Sequence, residues 1–149
     1  MKKALTVALI LLISRSLACS YLDQRLSANK CKFNIISIDI RDFSLTGMTI
    51  GLSVDITNPN KIDVVIDKMV LDLYIEDIKT VNVTFNEVTI PPKKTKTVNA
   101  DLAIPYSIMG MSLIDEIKNK GRIQYRLSGI AYMNTRLGVV TYPVTISKN

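Results

Sequence analysis

The chain has 149 residues and two cysteines, which is enough for one domain with a hydrophobic core and too short for two ordinary domains. It contains no histidine, which excludes Ser-His or Cys-His nucleophilic pairs and histidine-based zinc sites. Its 19 lysines and arginines exceed its 13 acids. Three of these bases lie in an N-terminal segment that we expect to be removed, and the remaining net charge of +3 leaves no electrostatic footprint for nucleic acid.

The N-terminus has the order of regions of a secretory signal. Two lysines precede an apolar run over residues 4–13, and the small residues Ser16 and Ala18 follow before Cys19. A membrane span needs roughly 20 apolar residues, whereas a signal peptide needs a shorter run and a small-residue cleavage site. We therefore predict that residues 1–18 are a signal peptide and that the mature protein is exported.

Cys19 has two competing interpretations. Residues 16–19, "SLAC", resemble the end of a bacterial lipoprotein signal, in which the cysteine is acylated and becomes the new N-terminus. Cys19 would then be a lipid attachment site that anchors the protein to a membrane of the bacterial cell envelope. Alternatively, an ordinary signal peptidase cuts after Ala18 and releases a soluble periplasmic protein, whose Cys19 is free to pair with Cys31. The position of Cys19 at the end of the signal favours the lipid.

The polar residues 19–32 are predicted to be a short tether, followed by a domain over residues 33–149. From Phe33 onward, apolar and polar side chains alternate in at least seven segments, which is the period of a strand with one buried face. The clearest segment places five apolar residues on one face and ends in Asn-Pro-Asn, a sequence typical of turns. The alternating segments are residues 33–40, 48–57, 69–77, 80–88, 98–105, 122–133 and 139–147.

One segment has a helical period instead. Met109, Leu113 and Ile117 recur at intervals of four residues and are joined by Ile114. The pattern predicts a helix of two to three turns, capped by one of the nearby serines, Ser107 or Ser112, and ended by Gly121. Many short strands with a single late helix indicate an all-β, two-sheet antiparallel sandwich.

Several motifs occur in an order that suggests a family. They are "DITNPN" at residues 55–60, "VTIPPKKTKTV" at 88–98, "YRLSGIAY" at 125–132, "TRLG" at 135–138 and "YPV" at 142–144. Over residues 33–147 the chain resembles the type 2 late embryogenesis abundant family, also called the water stress and hypersensitive response domain. The resemblance implies a fibronectin-III-like or immunoglobulin-like sandwich of about seven strands with one helix. It also implies frequent export as a lipoprotein in bacteria, and a protective role in desiccation or other stress. For some relatives the proposed role that the resemblance implies is the binding or handling of lipids.

Three lysines in one loop, Lys93, Lys94 and Lys96, are candidates for contact with anionic lipid headgroups. The alternative is that they keep a strand edge soluble. No GxGxxG or Walker motif is present, and we expect neither an enzyme nor a cofactor or metal site. Three functions remain: a membrane-anchored protective domain, a module that holds a lipid or other apolar ligand at the sheets, and a soluble assembly domain that offers a strand edge to a partner.

Overall fold

Strands dominate the computed structural model, which describes residues 26–119, 122–135 and 138–148. The predicted β-rich fold with one late helix is confirmed. The strands of the described residues are β1 (Lys32–Phe43), β2 (Gly47–Thr57), β3 (Val64–Ile66), β4 (Lys68–Ile75), β5 (Ile78–Phe85), β6 (Val88–Ile90), β7 (Thr95–Pro105), β8 (Tyr125–Thr135) and β9 (Gly138–Lys148). The helix α1 is Met111–Lys118, and two 3₁₀ turns span Ser27–Lys30 and Tyr106–Ile108.

The strands form antiparallel sheets that enclose one core. A three-stranded sheet has the order β1-β2-β7, a four-stranded sheet has the order β5-β4-β8-β9, and β3 pairs with β6. At their edges, β1 lies beside β9 and β5 lies beside β7. The pairing of β2 with β7 is regular from Gly47 opposite Pro105 to Thr57 opposite Thr95, so these two strands define the long axis of the first sheet.

The core is built from the faces that the alternation predicts. Every second residue of β2 and β4 is buried, because side chains point alternately to the two faces of a strand. Burial of one such side chain contributes about 1.5–3 kcal/mol relative to exposure. The predicted core residues that are buried are Met48, Ile50, Leu52, Val54, Ile56, Met69, Leu71, Leu73, Ile75, Val83, Phe85, Leu102, Ile104, Ile123, Leu127, Ala131, Met133, Val144 and Ile146.

Helix α1 differs from the prediction at its start. Leu113, Ile114 and Ile117 are buried as expected, but the predicted serine cap is wrong, because the N-cap residue is Gly110 and makes no side-chain cap bond. The backbone N–H of Tyr106 donates to the carbonyl oxygen of Thr46 at 2.9 Å. This bond continues the β2–β7 pairing up to the 3₁₀ turn. Met109 after the turn is extended, with φ of −108° and ψ of 139°, so the helix begins only after it. Gly121, the predicted end, lies outside the described residues.

The N-terminal part of the domain is packed before the predicted boundary at residue 33. Ala28 lies in the first 3₁₀ turn and is 1% exposed, and Cys31 is also buried. Two residues of the predicted tether, Ala28 and Cys31, therefore lie in the core cluster. The signal segment, Cys19 and the first part of the tether lie outside the described residues. Within the described ranges, no helix has the length and hydropathy to cross a bilayer.

Candidate functional site

Three segments of the chain meet at one end of the three-stranded sheet. β1 begins at Lys32, which lies opposite Thr57 at the end of β2, and Thr57 lies opposite Thr95 at the beginning of β7. The N-terminal turn, the loop after β2 and the loop before β7 are therefore neighbours. We call this surface the lysine end, and define it by its basic residues Lys30, Lys32, Lys61, Lys93, Lys94 and Lys96.

Asn58 holds the two loops of the lysine end together. It is fully buried, and its side-chain Nδ2 donates to the carbonyl oxygens of Ile62 at 2.8 Å, Ile90 at 2.9 Å and Pro91 at 3.1 Å. Its backbone N–H donates to the carbonyl oxygen of Lys94 at 2.9 Å. Because a buried polar group without a partner is costly, these bonds specify the conformation of the loops.

Asn60 connects the same loops to the N-terminal turn. Its backbone N–H and its Nδ2 each donate to Oδ1 of Asn58 at 2.9 Å. Its Nδ2 also donates to the carbonyl oxygen of Ser27 at 3.0 Å. The Asn-Pro-Asn motif is therefore a hydrogen-bonded junction, and it fixes the place where the N-terminal segment joins the domain.

The structure places the three predicted lysines together, but they are not equivalent. The backbone of Lys93 has a positive φ of 57°, and its Nζ donates to the carbonyl oxygen of Pro59. The side chains of Lys94 and Lys96 are exposed. Lys93 thus contributes partly to the structure of the loop, whereas Lys94 and Lys96 present their ammonium groups to the surroundings.

Three further lysines at this end were missed by the sequence analysis. Lys30, Lys32 and Lys61 are exposed, and they become neighbours of the predicted loop only through the pairing of β1, β2 and β7. The acids Asp55 and Asp63 share this end, so its net charge is +4. The spacing of these lysines along the chain does not indicate a common surface, because strand register brings together residues that are about 30 to 60 positions apart.

The buried thiol of Cys31 has no catalytic character. Burial raises the pKa of Cys31 to about 11, so that it is a protonated thiol at neutral pH, and a thiol is a poor nucleophile compared with a thiolate. Among the described residues, no group of three or more cysteine and acidic side chains is arranged to hold a metal ion. Cys19, the predicted lipid attachment site, lies outside the described residues.

The described surface includes the following two hollows. The first has a volume of about 240 Å³ and lies beside the β1–β2 hairpin, where Met48, Ile104 and Pro105 are part of its lining. The second, of about 160 Å³, lies between β1 and the first residues of β8 and is lined in part by Ile38 and Tyr125. Typical sites for small molecules have volumes of about 300–1,000 Å³, and neither hollow reaches that range.

One protein-family model matches most of the chain. The family model described as late embryogenesis abundant protein matches residues 53–148. No curated protein matches the chain significantly.

Solved structures agree with the sandwich. A solution structure of an Arabidopsis thaliana protein is 16% identical, has a TM-score of 0.60 and is aligned over 78% of each chain. A second solution structure, of a protein described as late embryogenesis abundant, is 17% identical with a TM-score of 0.52. That alignment covers 99% of this chain and 83% of the other. At such low identities these similarities show the fold alone.

Proposed function

This chain belongs to the type 2 late embryogenesis abundant family, and we propose that it is a membrane-anchored form of this stress-related, non-enzymatic domain. In this proposal the mature protein is exported and carries a lipid on Cys19. The domain lies with its lysine end towards the membrane that holds the lipid.

The observation that carries the proposal is the position of the N-terminal turn. The bond between Asn60 and Ser27 fixes this turn at the lysine end. Seven residue steps separate Cys19 from Leu26, and a fully extended chain of that length spans at most about 25 Å. A lipid on Cys19 would therefore keep the lysine end, rather than another surface, close to the bilayer.

Electrostatics favour the same orientation. A basic residue close to an anionic leaflet contributes about 1 kcal/mol to binding, and this attraction is effective only within a Debye length, about 8 Å at physiological salt. A tether of at most about 25 Å allows Lys61, Lys94 and Lys96 to approach the bilayer to within this range. The lipid supplies the anchor, and the lysines orient the domain.

The other two functions have less support. A ligand-binding module needs a cavity between or beside the sheets, but the buried side chains between them form one cluster, and the two hollows described above are smaller than typical ligand sites. An assembly domain needs an accessible strand edge. In the described part of the chain, the edge strands β1, β5, β7 and β9 each have a hydrogen-bonded neighbour on one side only, but each lies close to an edge of the opposite sheet. β1 lies beside β9 and β5 lies beside β7, and Nζ of Lys148 donates across the first of these seams to the carbonyl oxygen of Ile36. Both observations favour a domain that acts through its surface.

The orientation is tested with the chain that begins at residue 19 and carries Cys19→Ser, so that the lysines act without the lipid. Its binding to phosphatidylcholine vesicles containing phosphatidylglycerol is measured by co-sedimentation. The double variant Lys61→Ala/Lys94→Ala is expected to bind roughly 30-fold more weakly, since two lysines contribute about 2 kcal/mol.

The matched control is Lys79→Ala/Arg122→Ala, which removes two charges outside the lysine end and is expected to bind as the parent chain does. Equal losses in the two double variants would show that net charge, and not the lysine end, determines binding.

A further inference from the structure

The end of the three-stranded sheet opposite to the lysine end carries exposed apolar side chains. Leu45, in the hairpin between β1 and β2, is 99% exposed, and its neighbour Phe43 is 44% exposed. The chain that leaves β7 adds Ile108, which is 42% exposed, and Met111 at the start of α1, which is 75% exposed. We call these four residues the apolar tip.

Several backbone groups of the hairpin in the apolar tip are bonded within the domain. The N–H of Ser44 donates to the carbonyl oxygen of Gly47 at 2.8 Å. Oγ of Ser44 accepts from the N–H groups of Thr46 at 3.3 Å and Gly47 at 3.0 Å, and the carbonyl oxygen of Thr46 accepts from Tyr106. Backbone groups in the hydrocarbon core of a bilayer have to be satisfied internally, and these bonds reduce the number of polar groups that the hairpin would bring to the membrane surface.

The shape of the apolar tip fits a lipid phase better than a protein. A Leu45 side chain that is 99% exposed has almost no contact with its own chain, so it projects from the surface. Stable protein interfaces bury about 1,200–2,000 Å² between complementary surfaces, whereas fluid acyl chains adapt to a single projecting side chain.

A cation lies at the base of the apolar tip. Nζ of Lys118 is 5.8 Å from the centroid of the Phe43 ring and 5.7 Å from that of the Tyr106 ring. An ammonium group behind apolar and aromatic side chains is the arrangement of residues at a membrane surface, where the apolar part enters the lipid and the cation remains among the headgroups.

The length of the sheet determines which bilayer the apolar tip can reach. Ten residue steps separate the pair Gly47 and Pro105 from the pair Thr57 and Thr95, which is about 33 Å at 3.3 Å per step. The tether between Cys19 and Leu26 spans at most about 25 Å. In the orientation proposed above, with the lysine end towards the anchoring bilayer and the sheet upright on it, the apolar tip is therefore held about 33 Å away from that bilayer.

We infer that the apolar tip inserts into the surface of a second bilayer, so that the anchored domain bridges two membrane surfaces, with the sheet spanning about 33 Å of the distance between them and the tether the rest. Insertion of the tip is independent of the lipid on Cys19, whereas bridging rests on the proposed anchor. Loss of water brings membranes together, and a spacer with a lipid-binding group at each end opposes their fusion.

Insertion is tested by fluorescence, because the chain contains no tryptophan. Leu45→Trp, in the chain with Cys19→Ser, places a single reporter at the tip, and neutral phosphatidylcholine vesicles leave the lysine end without an anionic partner. We expect a blue shift of the emission and protection from iodide quenching when vesicles are added.

The matched control is Val139→Trp, at an apolar position that is 60% exposed but lies in β9 outside the tip. The emission of this variant is expected to change little when vesicles are added. If the emission spectrum of Leu45→Trp in the presence of vesicles remains that of a water-exposed indole, the inference is overturned.

Bridging is tested with the acylated protein in donor vesicles and labelled acceptor vesicles that contain no protein. We expect capture of acceptor vesicles by the parent protein and by Val139→Asp, and loss of capture with Leu45→Asp/Met111→Asp. Capture that survives the double substitution, or no capture by the parent protein, contradicts bridging. Absence of the protein from the donor vesicles would instead contradict the anchor, and the fluorescence result would still decide insertion.

Discussion

The side-chain amide of Asn60 donates a hydrogen bond of 3.0 Å to the carbonyl oxygen of Ser27, 33 residues earlier in the chain. This bond joins the N-terminal turn to the loop after β2. The same loop is joined through Asn58 to the loop before β7, which carries Lys93 and Lys94. One hydrogen-bonded junction therefore determines both where the N-terminal segment meets the domain and where the lysines lie.

Asn58 is expected to be essential for stability. Asn58→Ala removes the donor of three carbonyl oxygens and the acceptor of the Asn60 N–H. Buried groups left without partners cost about 1–3 kcal/mol each, partly relieved by water, so we expect the free energy of unfolding to fall by about 2–4 kcal/mol in urea denaturation. The control Asn99→Ala, which loses an exposed bond to Ser53, is expected to change it by about 0.5 kcal/mol or less. Similar losses in the two variants would contradict the role of the junction.

Gly129 is expected to tolerate no side chain. A Cβ at this position would lie 2.1 Å from the carbonyl oxygen of Val70 and 2.8 Å from Cα of Leu71, both backbone atoms of the adjacent strand β4. Because backbone in a central strand cannot move aside cheaply, Gly129→Ala should lower the melting temperature and destabilise the domain by about 3 kcal/mol or more.

Gly110→Ala provides the comparison for Gly129. At Gly110 the nearest atom to an added Cβ is Oγ of Ser112 at 3.9 Å, which is an ordinary contact. The loss of a permissive N-cap residue is the main effect expected, about 1 kcal/mol or less. If both alanine variants melt at the same temperature, the close approach at Gly129 has no energetic importance.

The stability of the domain is expected to fall at alkaline pH through Cys31. Burial raises the pKa of Cys31 from 9.0 to about 11, so the folded state holds its thiol proton more tightly than the unfolded state. This stabilisation is fully present below pH 9 and is lost as the pH rises towards 11. The free energy of unfolding should fall by about 2–3 kcal/mol over this range, because a pKa difference of one unit corresponds to about 1.36 kcal/mol.

The measurement is urea denaturation between pH 8 and pH 11 on the parent chain and on Cys31→Ala. The variant lacks the thiol, so the difference in unfolding free energy between the two proteins should shrink as the pH rises. Burial also raises the pKa of Tyr125, and this contribution cancels in the difference. A difference that is constant with pH would contradict a protonated, buried thiol.

Binding through the lysine end should depend strongly on salt. The Debye length falls from about 30 Å at 0.01 M to about 8 Å at 0.15 M ionic strength, so co-sedimentation of the Cys19→Ser chain with anionic vesicles should decrease over this range. Insertion of Leu45→Trp into neutral vesicles should remain, because burial of apolar surface is not screened. Anionic binding that is insensitive to salt would mean that the lysines do not determine it.

Much of the fold follows from local pattern. Met48 and Ile50 alternate with polar residues along β2, and Leu113 and Ile117 are four residues apart on α1. The side chains of both sets face the same core, so the period alone identifies the buried side of each element. The strands β3 and β6 have only three residues each, too few to show a period, and both were therefore missed as separate elements.

The candidate site was predicted only in part. Lys94 and Lys96 are visible because they are near neighbours in sequence, whereas Lys30 and Lys61 join them through strand register. The helix cap was predicted wrongly because Met109 is extended and buried in the core, and tertiary packing of this kind leaves no local signal. The apolar tip could not be recognised either, because Leu45 is simply one apolar residue in a hairpin until its exposure is known.

The most direct test of the membrane-anchored domain is the mass of the N-terminal peptide of the mature protein, purified from membranes of the expressing cell. The account predicts a peptide that begins at Cys19 and carries a diacylglyceryl group on the thiol. A mature protein whose Cys19 is unmodified, as a free thiol or in a disulfide with Cys31, would contradict it, as would a mature N-terminus at another residue.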